Sequence, residues 1–301
     1  MKRGALYMIL ASLMFTVMLG TVKVARQELS ALEVMVWRAT VSIPLALAFA
    51  WKPGLAIVNR GGMVLRGLFG FGAMACFFTA ARGLDIADLS IIAKLQPILI
   101  ALLAPIALGR HERASGTLWL LLLAGLSGCA LIVGPDLRVG SLYGLWAVAA
   151  TLLATGAHLA IRHLGRSDDA RTIVFWFQVA VLVLALSLHV LLTGGGMSLP
   201  SAALWPYLAG CGIAATIGQV LLTHAYALDR AAVVAAASYT GPAFAVLADL
   251  FVFGVLPGPA VVTGGLLVVG AGLVLVLSGR RQPELAARRE DDGAAIPEAH
   301  V

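Results

Sequence analysis

The chain has 301 residues, of which 60% are hydrophobic and 12% charged, and its formal net charge is +6. A soluble domain usually carries roughly 25% charged residues, so water is excluded as the main solvent and the lipid bilayer becomes the expected partner. The basic excess falls in short segments between apolar runs, where it needs no nucleic acid to explain it.

About 19 to 20 helical residues cross a ~30 Å hydrocarbon core, and windows of that length predict ten spans: 4–22, 33–51, 63–81, 87–108, 115–134, 140–161, 172–193, 203–227, 231–254 and 259–278. The fold class is therefore an all-α integral membrane protein. Span 1 follows Met1, Lys2 and Arg3, but its apolar run exceeds the core of a secretion signal and no clear small-x-small cleavage site follows. Span 2 takes in Arg38 near its start, with Glu33 and Trp37 close by. Span 3 is interrupted by Arg66, which leaves only Gly67 to Ala81 uncharged, so it crosses only with Arg66 snorkelling to the interface.

Span 4 reads LSIIAKLQPILIALLAP over 89–105. Lys94 lies about five residues in, near 8 Å at 1.5 Å per residue, and a charge near the bilayer centre costs ~2.5–3.5 kcal/mol. On a helical wheel Lys94 shares a face with Ser90, Pro97, Ile98 and Ala101, whereas Gln96 is rotated by about 200°. The Lys94 face is expected to line a cavity, because Pro97 loosens the backbone there and freed carbonyls need water or protein around them.

Spans 5, 6 and 10 are free of Asp, Glu, Lys and Arg, and residues 172–228 form a charge-free stretch that TGGGMSLPS at 193–201 divides into spans 7 and 8. In span 5, Ala124 with Gly128 and Gly125 with Cys129 suit close helix contact. In span 9, Ser238, Pro242, Ala245 and Asp249 form one stripe with Tyr239 adjacent, and Pro242 is expected to bend the helix as Pro97 does in span 4. Asp249 could pair with Lys94 or Arg38. His158, Gln178, Gln219 and His224 are further polar candidates, and Trp37, Trp146, Trp176, Phe77 and Phe78 could stack on an aromatic solute. Cys76, Cys129 and Cys211 have no pairing or metal-ligand spacing, so neither a disulfide nor a metal site is expected. The tail from Gly279 to Val301 is polar and expected to be disordered.

Lys and Arg in the short loops set the orientation. With the N-terminus inside, fifteen fall in the cytoplasmic set and four (Lys23, Arg26, Arg82, Arg138) in the outer set, which makes ten spans with both termini in the cytoplasm self-consistent.

Slid by roughly 140 residues, the chain meets itself. ARGLD at 81–85 falls on AYALD at 225–229, SIIAKLQPILIALL on AAASYTGPAFAVLA with Pro97 over Pro242 and Lys94 over Tyr239, and Trp37 falls on Trp176. Two sets of five spans, an odd number each, must face opposite ways, the inverted-repeat plan of many secondary transporters. The expected units are 1–135, 136–278 and the tail 279–301. These five-plus-five spans, the mid-span prolines of spans 4 and 9 and the GRHER loop at 109–113 resemble the drug/metabolite transporter superfamily, specifically its EamA-type ten-helix branch, over residues 4 to 278. The family often carries a Gly-Glu pair in the loop after helix 4. Here Glu112 takes that place, and the matching loop GVLPGP at 254–259 has no acid. The resemblance implies transport of small organic solutes across the cytoplasmic (inner) membrane, with efflux the common direction.

No Asp or Glu sits in the middle of any span, which disfavours an exporter of lipophilic cations. The intramembrane bias is basic, so the expected solute is anionic or zwitterionic, such as an amino acid. The expected substrate-binding residues are Lys94, Ser90, Arg38, Tyr239, Ser238, His158 and Gln219, with Pro97 and Pro242 bending their helices. Uptake of a nucleotide-like or vitamin metabolite is the alternative within the same class. From another class, GLSG at 125–128 with His158 suggests an intramembrane serine hydrolase using Ser127, but the two lie at different depths. There is no Gly-x-x-x-x-Gly-Lys-Ser/Thr loop, hence no built-in ATPase and no nucleotide cofactor. The chain is compatible with a homodimer.

Overall fold

A computed structural model describes residues 3–80, 83–84, 86–134, 142–253 and 256–277. Arg82, Arg138, the side chains of Phe78 and Asp249, and the tail from Gly279 lie outside the described residues, and with them the expected ion pairs of Asp249. The described residues are helical, with no strand. The helices are α1 (Arg3–Ala25), α2 (Ala31–Ala50), α3 (Arg60–Ala80), α4 (Ile86–Ala93), α5 (Gln96–Ala107), α6 (Gly116–Val133), α7 (Leu142–Leu164), α8 (Ala170–Thr193), α9 (Trp205–Leu228), α10 (Ala231–Ala237), α11 (Thr240–Phe253) and α12 (Pro259–Leu277).

Among the described residues, nine segments are long and apolar enough to cross a membrane, with α4/α5 and α10/α11 each making one crossing. The tenth, α3, is 21 residues long. Leu102, Ile106, Leu120, Leu191, Leu192 and Leu266 stand exposed on the outside of the bundle, where acyl chains would be their solvent. Helix ends follow local rules. Ser30 and Glu33 form a reciprocal capping box at α2, Ser115 caps α6 and Asp169 caps α8. Gly134 and Gly194 close α6 and α8 in the left-handed region at φ 58° and 74°.

The loops gather at two ends. At one, Asp168 accepts from the backbone of Val58 and Asn59, Thr172 donates to the Gly54 carbonyl, Asp229 accepts from Gly4 N and Glu112 accepts from Ala231 N. At the other, Glu33 accepts from Ser198 N, Trp37 donates to the Ser198 carbonyl and Ser201 donates to Glu28. These are called the Glu112 end and the Glu33 end.

The packing has an internal regularity. Counting α4/α5 and α10/α11 as crossings four and nine, crossing 1 packs on 8, 3 on 6, 2 on 7, 5 on 10 and 4 on 9. Exchanging the first five crossings with the last five returns the same set. In the fifth and tenth, a Cβ on Gly128 would fall 2.7 Å from the Gly264 carbonyl oxygen, so the α6 and α12 backbones touch there and only glycine fits.

Candidate functional site

The sequence expects proline to bend spans 4 and 9, and the structure goes further by breaking both. The fourth crossing opens at Lys94 and Leu95 and the ninth at Ser238 and Tyr239, with Pro97 and Pro242 in the first turn of the half-helix that follows. Proline has no N–H to give the preceding turn and its ring crowds the carbonyl four residues back. The breaks answer each other. Tyr239 Oη donates to the Lys94 carbonyl at 3.0 Å, and Cys129 Sγ lies 3.7 Å from the Tyr239 carbonyl. Gly125 leaves room for the Tyr239 ring. Two freed carbonyls that hydrocarbon would leave unpaired thus find protein donors.

Beside the first break lies a cavity of about 280 Å³. Its walls are Met18, Leu19 and Val22 from the last two turns of α1, Val34, Met35 and Arg38 from the start of α2, and Ala73, Met74 and Phe77 from the second half of α3. Ala93, Gln96, Ala150, Thr151 and Ala154 make its floor at mid-depth. The cavity therefore occupies the half of the bundle toward the Glu33 end. Its walls are apolar apart from Arg38, Gln96 and Thr151. Arg38 is 5% exposed, and among the described residues its Nη2 has no hydrogen-bond partner.

The placement corrects the choice of face in span 4. Gln96 and Ala93 line the cavity, while the Lys94 ammonium sits against Gly241, at a distance of 3.6 Å from where a Cβ would be. The wheel separates the two faces correctly, but which one turns inward depends on α7, whose Thr151 and Ala154 receive the Gln96 side. Ser90 is half-buried on α4, and Ser238 Oγ donates to the Ala235 carbonyl within its own turn. Lys94, Ser238 and Tyr239 thus meet at the breaks, and of the seven expected binding residues only Arg38 is in the cavity wall.

His158 and Gln219 lie beneath the floor. Gln96 Nε2 and Tyr226 Oη converge on His158 Nδ1 at 2.8 and 3.3 Å. Gln219 Oε1 accepts from Arg66 Nη2 at 3.1 Å. Arg66 does not snorkel. It is turned into the bundle, 3% exposed, with its guanidinium 3.6 Å over the Phe177 ring, because that ring face and the Gln219 amide receive it there.

Below this layer the Glu112 end is closed. Glu112 is fully buried and takes Arg162 Nε at 2.8 Å on one oxygen and Ala231 N, the first residue of α10, at 2.8 Å on the other. Arg162 Nη1 also donates to the carbonyls of Tyr226 and Ala227, at 2.8 and 3.0 Å, in the last turn of α9. A buried carboxylate and a guanidinium that is 14% exposed, so fully bonded, join the loop after α5 to α7, α9 and α10. The sequence marked Glu112 through a resemblance alone, and nothing in it indicated Arg162 as partner.

Comparison with known proteins adds to this geometry. The family model described as "EamA-like transporter family" matches residues 2–134. The chain is 30% identical over 279 residues to the pseudopaline exporter CntI of Pseudomonas aeruginosa, covering 91% of this chain and 96% of that protein. The chain belongs to the EamA-like transporter family. Other relatives of this EamA-like protein are an uncharacterized transporter of Helicobacter pylori, 26% identical over 91% of this chain and 94% of that one, and human solute carrier family 35 member G1, 26% identical over 90% and 78%. A solved crystal structure shares the fold with a TM-score of 0.78 at 20% identity, covering 91% of this chain and 98% of that chain. The chain is thus a multi-pass membrane transporter and not an enzyme. The hydrolase alternative has no support in the geometry either, since Ser127 is exposed on α6 and His158 Nδ1 is held by Gln96 and Tyr226.

Proposed function

We propose that this EamA-like protein exports a small anionic or zwitterionic metabolite, such as an amino acid or related compound, across the cytoplasmic membrane by alternating access. The observation that carries the reading is Arg38. A guanidinium with an unpartnered N–H in a nearly apolar wall costs about 1–3 kcal/mol, and a solute carboxylate would satisfy it. Met18, Met35, Met74 and Phe77 offer adaptable apolar contact to the rest of the solute. Efflux is supported by the exporter among its relatives.

The mechanism follows from the two ends. The Lys and Arg of the loops support a cytoplasmic Glu112 end, with the cavity facing outward and the Glu112–Arg162 pair as the closed inner side. The exchangeable packing of crossings 1–5 and 6–10 supports two inverted units, residues 1–135 and 136–278, rocking about the broken helices. Opening inward would part Glu112 from Arg162 and close the walls over Arg38. Tags at both chain ends should report from the cytoplasm.

The test begins with metabolites that accumulate outside cells overexpressing the protein, followed by countertransport of the best hit in proteoliposomes. Arg38→Gln should reduce that flux at least tenfold while the protein stays in the membrane. Lys94→Gln separates the sites. Loss of flux there with Arg38→Gln unaffected would move the solute to the break beside Gly241, and unchanged flux in both would remove the basic groups from its path.

A further inference from the structure

A second guanidinium waits under the cavity floor. Arg66 lies on the same face of α3 as Ala73, Met74 and Phe77, about 10 Å before Ala73 along the axis at 1.5 Å per residue. Its guanidinium folds toward Gly70, one turn nearer the cavity, where any Cβ would collide with it and with the Phe177 ring. One N–H bond goes to Gln219, and among the described residues Nε has no partner. Phe177, which carries the guanidinium on its face, packs in one apolar cluster with Met35 and Met74 of the cavity wall. Ala73, Met74, Ala154 and Gln96, small or flexible side chains, line the cavity.

Arg38 and Arg66 are both buried, at 5% and 3% exposure. Among the described residues no carboxylate pairs with either. Glu28, Glu33, Glu112, Asp168, Asp169 and Asp229 are bonded elsewhere, at the two ends of the bundle. Two like charges in a low-dielectric interior raise each other's cost. A solute with one carboxylate relieves one of them and leaves the other.

We propose that Arg66 is a second anion-binding residue of the transport path, so that the solute carries two anionic groups, one meeting Arg38 in the cavity wall and the other Arg66 beneath the floor. This rests on the transport reading above and narrows its substrate class to organic dianions, dicarboxylates being the simplest. Arg66 thereby sets specificity by charge number, while Arg38 accepts any carboxylate.

The experiment measures thermal unfolding of the full-length protein in detergent with succinate, glutarate and adipate, each against its monoamide at equal ionic strength. At least one dicarboxylate should stabilise the protein with an apparent affinity tenfold or more above that of its monoamide. Arg66→Gln should bring that dicarboxylate down to the monoamide's level, Arg66→Lys should keep part of the preference, and Arg38→Gln should remove the response to both. A merely structural Arg66 would lower the unfolding temperature without changing the preference. The proposal is overturned if no dicarboxylate outperforms its monoamide, or if the preference survives Arg66→Gln. Monoamide binding that still depends on Arg38 would in that case leave the transport reading standing. Absence of all binding, together with flux indifferent to Arg38→Gln, would end both.

Discussion

The two ends of the bundle are built from different chemistry. At the Glu112 end a buried carboxylate meets a guanidinium, and the pair ties the loop after α5 to the end of α9 and the start of α10. At the Glu33 end a carboxylate that is 5% exposed takes the backbone N–H groups of Ser30 at 2.8 Å and Ser198 at 2.7 Å and meets no guanidinium among the described residues. One end joins four elements through charge, and the other pins a single loop to one helix while the cavity lies beside it. A charge pair parts or persists as a unit, whereas a loop held by amide bonds can loosen singly. That difference suits a bundle closed at one end and accessible at the other.

The comparison breaks first at Glu112. Glu112→Gln leaves the largely enclosed Arg162 guanidinium without its counter-charge, at a cost of up to about 3–5 kcal/mol. The thermal midpoint should fall by several degrees, and a cysteine placed at Ala114 should become reactive to thiol reagents added at the Glu112 end. An unchanged midpoint and an unreactive thiol would mean that the pair does not hold this end. Glu33→Gln should cost less, about 1–3 kcal/mol, because the amide keeps one acceptor oxygen. Its signature is local: hydrogen exchange at Ser198 should quicken while exchange at Ala231 stays as it was.

The smallest effect concerns the rim of the Glu112 end. The Arg171 side chain, bonded to both Asp169 oxygens at 2.9 Å, holds the Asp169 carboxyl below its ordinary range. Its folded value is depressed, so its contribution is present above the unfolded carboxylate range and disappears as pH falls through the lower folded value. Acidification should therefore speed hydrogen exchange in the first turn of α8. Asp169→Asn should abolish that pH dependence.

Much of this was legible in the sequence because lipid imposes severe rules. A crossing needs about 20 apolar residues and satisfied backbone groups, so the spans, the loops and the weak points at Pro97 and Pro242 show in one dimension. Lys94 and Tyr239, which the sliding of the chain places over each other, are the residues whose carbonyl and hydroxyl bond across the two breaks. Arg38, read as an intramembrane charge, does line the cavity. The part of the site that stayed hidden concerns direction. Gln96 was visible as the opposite face to Lys94, and Arg66 as a charge awaiting an escape to the interface, but neither residue names its neighbour.

The chain by itself determined an all-helical membrane transporter, its family likeness and the places where its helices yield, because length, hydropathy and proline act along the sequence. Tertiary structure alone decided that Gln96 faces the cavity, that Arg66 turns inward onto Phe177 and that Glu112 finds Arg162. A helical wheel fixes which side chains share a face. Only the packing of other helices fixes what that face meets, and the energy of a buried charge is set by what it meets.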